Sequence, residues 1–215
     1  MHGSTLTKLV RLGSHLASRP GLIQRYLKTG PFSGCTPVEL ELPWVAWDCI
    51  DFLTGHLKSD MQVFEWGSGG STLFLGRRVR QVVSVEENGQ WHQRVQSALE
   101  RAGLGNVELR HCPFAVGNPG ALQDSEYLKR VTTGCWDVIL VDGNQGYGSG
   151  GPHGTHRLRC FELAEKHVVP GGIIVVDDSW MFPEITAQAK AKRRLDCASI
   201  GPCRPGVTST SVFFY

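Results

Sequence analysis

Several features that define whole classes of protein are missing from this sequence. No apolar run approaches the roughly 18 residues that a membrane-spanning helix needs, and the N-terminus lacks the apolar core of a secretory signal peptide. The seven cysteines form neither a C-x-x-C pair nor a zinc-ligand spacing. We therefore predict a cytoplasmic protein with reduced thiols and no membrane partner.

An excess of one sign of charge is also missing overall, although the charges are unevenly distributed. The net charge of +2 is too small to indicate a nucleic-acid partner. Residues 1–38 contain no Asp or Glu but carry five Lys or Arg. This basic opening is either a solvated helical face or an organelle transit segment, because transit peptides are amphipathic and rich in Arg.

The first 60 residues have a helical pattern. The chain has 215 residues, of which 41% are hydrophobic and 20% charged, as in ordinary globular domains. Within the N-terminal part, apolar residues recur at near-helical spacing, and two Gly/Pro pairs interrupt the pattern. We predict a helical N-terminal extension over residues 1–60 that packs over the carboxyl edge of the sheet as a lid, followed by one domain over residues 61–215.

From Met61 onward, short apolar runs alternate with amphipathic segments of helix length. The runs are rich in Val and Ile on both faces, which is typical of strands buried in a parallel sheet. A final pair of runs, separated by "GPCRPGV", predicts two antiparallel strands. The predicted strands of this α/β fold are Val63–Trp66, Val82–Val85, Val107–Leu109, Val138–Val141, Ile173–Val176, Asp196–Ile200 and Thr210–Tyr215.

Polar residues follow the five predicted parallel strands at the points where the strands end. An open parallel sheet binds its ligand at the carboxyl ends of the strands. A single acid at a strand end is usually a turn former, but acids at four ends together with a glycine loop indicate a cofactor site. The residues at these ends are Glu65 with Gly67, Gly69 and Gly70; Glu86; His111 and Cys112; Asp142 and Gly143; and Asp177 with Asp178.

The stretch "VFEWGSGGSTLFLG" bears on the nature of that cofactor. A dinucleotide fingerprint would place a third glycine where Thr72 stands, and a carboxylate at Glu65 would repel a pyrophosphate. S-adenosylmethionine has no phosphate and carries an ammonium group that such an acid can attract. Glu86, at the end of the second strand, can accept hydrogen bonds from both ribose hydroxyls.

Four segments resemble motifs of class I S-adenosylmethionine-dependent methyltransferases: "FEWGSGGSTLFL", "VVSVEENGQW", "WDVILVDG" and "PGGIIVVDDSW". The resemblance covers residues 61–215. It implies a Rossmann-like, mostly parallel seven-stranded sheet with a C-terminal antiparallel pair, S-adenosyl-L-methionine as cofactor, and methyl transfer to a small-molecule acceptor.

The resemblance also implies roles for individual residues. The glycine loop with Glu65 would line the methionine end, Glu86 would hold the ribose, and Asp142 would lie below the transferring methyl group. Many members contact adenine through an acid or small polar residue after the third strand, where this chain has "RHCPF". The cofactor-binding residues that we predict are Glu65, Gly67, Ser68, Gly69, Ser71, Glu86, Glu87, His111, Cys112 and Asp142.

Two further positions have two interpretations each. Trp91 either packs against adenine or belongs to the core. His156 is predicted to act as a general base beside Asp142, the alternative being a solvated loop histidine. It follows a stretch with six glycines between residues 143 and 154, which is typical of a substrate loop or of disorder. Arg157 or Arg159 could clamp an anionic group of the substrate.

A metal site is the last alternative at the strand ends. In catechol-type O-methyltransferases a divalent metal binds acids after strands four and five, where this chain has Asp142, Asp177 and Asp178. Adjacent acids also arise as the cap of a following helix, and we predict chemistry without a metal.

Three functions from different classes remain after these arguments. The first is a methyltransferase acting on a small molecule, and the second is a nicotinamide-dependent oxidoreductase, which Thr72 and Glu65 disfavour. The third is a relative of the fold that binds the cofactor without catalysing a reaction. The oligomeric state is not predicted.

Overall fold

A seven-stranded sheet with helices on both faces forms the centre of the protein. The computed structural model describes residues 5–115, 119–143 and 155–215. The strands are β1 (Gln62–Trp66), β2 (Gln81–Glu86), β3 (Val107–His111), β4 (Trp136–Val141), β5 (Val168–Asp177), β6 (Arg193–Ile200) and β7 (Val207–Phe214).

Four helices precede the sheet, and six lie between or after its parallel strands in the described parts of the chain. The first four are α1 (Thr5–Ser18), α2 (Gly21–Thr29), α3 (Pro37–Leu40) and α4 (Trp47–His56). The others are α5 (Gly70–Gly76), α6 (Gly89–Ala102), α7 (Pro119–Asp124), α8 (Glu126–Lys129), α9 (Thr155–Ala164) and α10 (Pro183–Gln188).

The strand order confirms the predicted fold class. The order is β3-β2-β1-β4-β5-β7-β6, in which β1 to β5 are parallel and β7 runs antiparallel between β5 and β6. The order switches between β1 and β4, and in such sheets the carboxyl ends of the strands at the switch form a crevice. The glycine loop after β1 and Asp142 after β4 both lie at that position.

Alternating residues of the strands pack into two cores, one on each face of the sheet. Val63, Val138 and Val175 join the residues of α4 in one core. Phe64 and Ile139 face the opposite core, which also contains residues of α8, α9 and α10. Because both faces are covered, the central strands β4 and β5 carry consecutive buried apolar residues, Val138–Val141 and Ile173–Val176, as their Val/Ile-rich sequences predicted. The edge strands β3 and β6 also carry exposed charged residues.

The helices of the N-terminal region share a core with the sheet. Trp47, Ile50 and Leu53 of α4 are buried with the sheet residues of the first core, and α4 contacts β6 and β7. Leu6 and Leu9 of α1 are exposed. Helix α4 therefore covers a face of the sheet, while the role of residues 1–60 as a lid stays a prediction.

Two observations concern the predicted state of the cysteines and the predicted lack of a membrane partner. All seven cysteines carry free thiols. Among the described residues, the helices are too short or too polar to cross a bilayer.

Candidate active site

A cavity of about 720 Å³ opens at the carboxyl ends of the strands, within the size range of small-molecule sites. Its wall contains many of the residues predicted from the sequence. They are Gly67, Ser68, Gly69, Ser71, Glu86, Glu87 and Asp142.

The glycine loop begins with a conformation that requires glycine. Gly67 has φ = +83°, and a Cβ atom there would lie 2.4 Å from the backbone nitrogen of Gly143. The missing side chain thus lets the ends of β1 and β4 meet. At Gly70 a Cβ atom would lie 2.2 Å from the carbonyl oxygens of Pro37 and Leu42, so the N-terminal region packs directly on the loop.

Glu65 lies beneath this loop and is fully buried. Its Oε2 accepts hydrogen bonds from the hydroxyls of Thr72 at 2.6 Å and Ser84 at 2.7 Å, and the Thr72 hydroxyl accepts one from the Gly69 N–H. Burial raises the pKa of Glu65 to about 7, although the Ser71, Thr72 and Ser84 hydroxyls act in the opposite direction. Glu65 therefore shapes the loop from below, and it is not on the cavity wall formed by the described residues.

Glu86 and Glu87 form the adjoining wall. Glu86 Oε2 accepts hydrogen bonds from the Ser68 N–H at 2.9 Å and the Ser68 hydroxyl at 2.8 Å, while Oε1 accepts one from the Asn88 N–H at 3.0 Å. Glu87 Oε2 is buried and has no hydrogen-bond partner within the described ranges. Burial and the neighbouring Glu86 charge raise the pKa of Glu87 to about 7. An unsatisfied buried acceptor on a cavity wall fits a ligand that supplies a donor.

Trp91 also lies on the cavity wall, although it belongs to a helix. Its indole Nε1–H donates to the Ser68 carbonyl oxygen at 2.6 Å, and the Arg94 guanidinium lies 5.5 Å from the ring centroid. These contacts fix the indole beside the glycine loop, where it offers an aromatic surface to a planar ligand.

Besides Glu65, three further predicted site residues lie away from the described wall of the cavity. His111 is exposed, with its ring 5.4 Å from that of His92. Cys112 is buried in the second core, and burial raises its thiol pKa to about 11. His156 is buried with its ring edge-on to Phe114 at 5.4 Å. The positions of these three residues therefore give no support to the binding and catalytic roles predicted for them. His153 and the glycine-rich stretch after Gly143 lie outside the described residues.

At the opposite end of the cavity, carboxylates pair with two arginines. Arg157 is buried and donates to Asp142 Oδ1 at 2.6 Å, to the Gly143 carbonyl oxygen at 3.1 Å, and to the Asp177 carbonyl oxygen. Arg204 donates to Asp177 Oδ2 at 2.6 Å. Burial raises the pKa of Asp142, against the effect of Arg157, and it raises that of Asp177 to about 7, against the effect of Arg204.

Arg204 connects three separate parts of the chain. It lies in the connection between β6 and β7, and it donates to Asp178 Oδ1 at 3.2 Å after β5. Its Nε and Nη2 atoms donate to the Trp44 carbonyl oxygen at 3.0 and 2.6 Å, and its guanidinium lies 4.8 Å from the centroid of the Trp44 ring. Arg204 could not be recognised as a site residue from the sequence, because "GPCRPGV" indicated only a turn.

The three aspartates do not fit a divalent cation as they stand. Asp177 Oδ1 accepts from the Thr210 hydroxyl and Oδ2 from Arg204, while Asp178 Oδ1 accepts from Arg204 and from the Thr208 hydroxyl. No three side chains in the described part of the chain are grouped to hold a metal ion. Asp178 stands at the N-cap position of the short helical turn Ser179–Met181, as the capping alternative predicted, but its side chain bonds to Arg204 and Thr208 and makes no capping hydrogen bond.

Comparison with known proteins identifies relatives of the chain. Residues 64–179, just over half of the chain, match the model of the family described as Methyltransferase domain. A protein-L-isoaspartate O-methyltransferase of Chromohalobacter salexigens is 35% identical over 114 residues. That match spans 49% of this chain and 48% of the relative, so it extends over about half of the relative's length.

Solved structures share the fold at low sequence identity. An O-methyltransferase from Bacillus cereus in complex with SAH has a TM-score of 0.58 at 18% identity, covering 100% of this chain and 92% of that chain. An rRNA methylase from Streptococcus thermophilus has a TM-score of 0.54 at 15% identity, covering 84% of this chain and 96% of that chain. These likenesses extend to the fold alone.

Proposed function

Because this chain belongs to the class I S-adenosylmethionine-dependent methyltransferases, we propose that it transfers the methyl group of S-adenosylmethionine to a small-molecule acceptor. The observation that carries the proposal is one cavity whose two ends differ in chemistry. One end has the glycine loop with two glutamates, and the other has Asp142 among carboxylates and arginines. The first suits the cofactor and the second suits a reacting group.

The first end, which we call the donor end, consists of Gly67, Ser68, Gly69, Glu86, Glu87 and Trp91. Glu86 Oε2 already accepts from the N–H and the hydroxyl of Ser68, whereas Oε1 accepts from the Asn88 N–H and keeps acceptor capacity for a ribose hydroxyl. Glu87 Oε2 would accept from a further hydroxyl or from the adenine amino group. Trp91, held by its bond to Ser68, would pack against the adenine ring.

The second end, which we call the acceptor end, consists of Trp44, Asp142, Arg157, Asp177, Asp178 and Arg204. When bound, S-adenosylmethionine supplies a methyl group already activated by a sulfonium, so the protein's main task is to position the acceptor. Asp142 is the residue that we assign to contact the reacting group, because its side chain keeps 24% of its surface exposed while Arg157 holds one oxygen. His156, beside Phe114, is a weaker candidate.

Charge favours a small molecule over a nucleic acid as the acceptor. The cavity wall carries five carboxylates and two guanidinium groups among its described residues, which would repel a phosphate backbone. The net charge of the chain is only +2.

The free thiols fit a reducing compartment such as the cytoplasm.

We also propose that residues 1–60 act as a fixed cover for the cavity. Thr36, Pro37 and Trp44 contribute to its wall, and Trp44 is half exposed. A Trp44→Ala variant should raise the KM for the acceptor more than the KM for the cofactor. Equal effects on both would argue against this role.

Titration calorimetry with S-adenosylmethionine, S-adenosylhomocysteine and NAD tests the assignment of the cofactor. We expect both adenosyl compounds to bind at one site per chain and NAD not to bind. Tight binding of NAD alone would favour the oxidoreductase. Binding of the adenosyl compounds without methyl transfer to any acceptor would instead indicate a relative that no longer catalyses.

A further inference from the structure

We infer that the acceptor group is a hydroxyl or an amine, which carries a proton, rather than a carboxylate or a phosphate. This inference rests on the proposed function and concerns the acceptor end of the same cavity. Its basis is the arrangement of Asp142, Asp177 and Asp178 around Arg157 and Arg204.

An anionic acceptor would need a cation to hold it, and Arg204 already has its partners. The guanidinium donates to Asp177, to Asp178 and to the Thr208 hydroxyl. It also donates to the Trp44 carbonyl oxygen through both Nε and Nη2. Only 16% of its side chain is exposed. Breaking these bonds to bind a substrate anion would leave buried carboxylates without compensation.

Arg157 is committed in a similar way. Its side chain is 4% exposed and donates to Asp142 and to the carbonyl oxygens of Gly143 and Asp177. These two arginines are the cationic groups of the described cavity wall. The sequence from residue 144 to residue 154 contains no Lys or Arg either, so the segment that follows Gly143 adds no permanent cation.

The acceptor end is, by contrast, suited to receive a proton. Asp142 lies at the end of β4 beside the switch in strand order, and Arg157 binds its Oδ1 while the side chain stays partly exposed. Burial and the neighbouring Asp178 charge raise the pKa of Asp142, against the effect of Arg157 and Arg204, so this side chain is favoured to take up a proton. A nucleophile that arrives with a proton therefore has a base within the cavity.

The transfer balances with no further reactant. The lone pair of the acceptor oxygen or nitrogen forms the bond to the methyl carbon, while the carbon–sulfur bond breaks and its electron pair stays on sulfur. The acceptor's proton passes to Asp142 and then to water. A carboxylate acceptor would have no proton to give, and Asp142 would only repel it.

Matched probes of one shape test the inference before the natural acceptor is known. The half-exposed Trp44 indole at the cavity favours aromatic probes. With the full chain saturated by S-adenosylhomocysteine, saturation-transfer NMR would compare benzyl alcohol, benzylamine and benzoate. We expect the alcohol or the amine to bind at least about tenfold more tightly than benzoate. Tighter or equal binding of benzoate, or no binding of any probe, would overturn the inference.

The stability of the product in base gives a second readout. Protein incubated with methyl-labelled S-adenosylmethionine and a small-molecule extract should form a product that keeps its label in mild alkali, as ethers and methylamines do. Release of labelled methanol would identify a methyl ester and overturn the inference. Failure to bind S-adenosylhomocysteine would instead contradict the proposed function, so the two failures are distinguishable.

An Asp142→Asn variant separates proton transfer from positioning. We expect kcat to fall about 100-fold to 10,000-fold, as for loss of a general base, and the rise of the rate with pH to disappear. Asp124→Asn is the matched control, because Asp124 is 88% exposed and should leave the rate unchanged. A variant with full activity and an unchanged pH profile would contradict the role of Asp142.

Discussion

The two ends of the cavity hold their carboxylates by different means. At the donor end Glu86 accepts hydrogen bonds from backbone N–H groups and a hydroxyl, all supplied by Ser68 and Asn88. At the acceptor end Asp142, Asp177 and Asp178 lie against guanidinium groups. The donor end is built from residues 67–91, whereas the acceptor end combines segments that are distant in sequence.

This difference has energetic consequences. Loss of one donor to the Glu86 carboxylate costs about 1.5–3 kcal/mol, and the carboxylate keeps its other hydrogen bonds. Loss of an arginine at the acceptor end leaves a buried carboxylate with no compensating charge, which costs several kcal/mol. Single substitutions at the donor end should therefore weaken cofactor binding while the protein stays folded. Single substitutions at the acceptor end should lower the free energy of unfolding.

The largest effect is expected for Arg204→Met. This change leaves Asp177, which is 1% exposed, without its ion pair, and we expect the free energy of unfolding to fall by about 3–5 kcal/mol. Urea unfolding measures it. Arg159→Met is the control, since the Arg159–Glu162 pair lies on the surface of α9 with side chains 57% and 37% exposed and should cost about 0.5 kcal/mol or less. Similar losses in both variants would show that the buried cluster is not the stronger interaction.

The next effect is expected at the donor end, for Glu86→Ala. The change removes charge-assisted acceptors for ribose, and affinity for S-adenosylhomocysteine should weaken by about 1.5–3 kcal/mol. Calorimetry measures this, with Glu100→Ala as the control, because Glu100 is exposed on α6 and bonded to Gln96. Undiminished affinity in the Glu86 variant would contradict its assignment to ribose.

A smaller effect is expected from the titration of Glu87. Its pKa is raised to about 7 in the folded protein, above the unfolded value of about 4.3. The folded state therefore binds more protons between these values, so this group's contribution to stability decreases as pH rises from about 4.3 to about 7. Glu87→Gln removes this titration, so the free energy of unfolding of the variant should fall less steeply as pH rises. The difference in slope should be less than about 1.4 kcal/mol per pH unit, as measured by urea unfolding between pH 5 and 8. Parallel pH curves for wild type and variant would refute the assigned pKa.

The contrast between the two ends also explains which parts of the fold and of the site could be predicted from the sequence. The fold followed from Val/Ile-rich runs and turn residues, because those patterns are local. Most of the donor end followed in the same way, since Gly67 and Glu86 stand at the ends of adjacent strands. Arg204 could not be recognised, because its partners Trp44 and Asp177 come close only once β7 inserts beside β5. Glu65 was recognised, but the hydroxyls of Thr72 and Ser84 that hold it below the loop became visible only in three dimensions.

Removal of divalent metal is expected to have the smallest effect, namely none. The sequence alone left Asp142, Asp177 and Asp178 as possible ligands, since three converging carboxylates repel one another without a cation. The structure supplies that compensation with two guanidinium groups, and a magnesium ion would have to displace Arg204 from Asp177 and Asp178 before it could bind. Octahedral coordination of Mg²⁺ also requires carboxylate oxygens that are free to bind it. Asp178 and Asp177 instead accept hydrogen bonds from the Thr208 and Thr210 hydroxyls. We therefore expect methyl transfer to be unchanged by EDTA and by added Mg²⁺. Loss of turnover in EDTA that Mg²⁺ restores would show that the arginines give way to a metal, and would make the three aspartates its ligands.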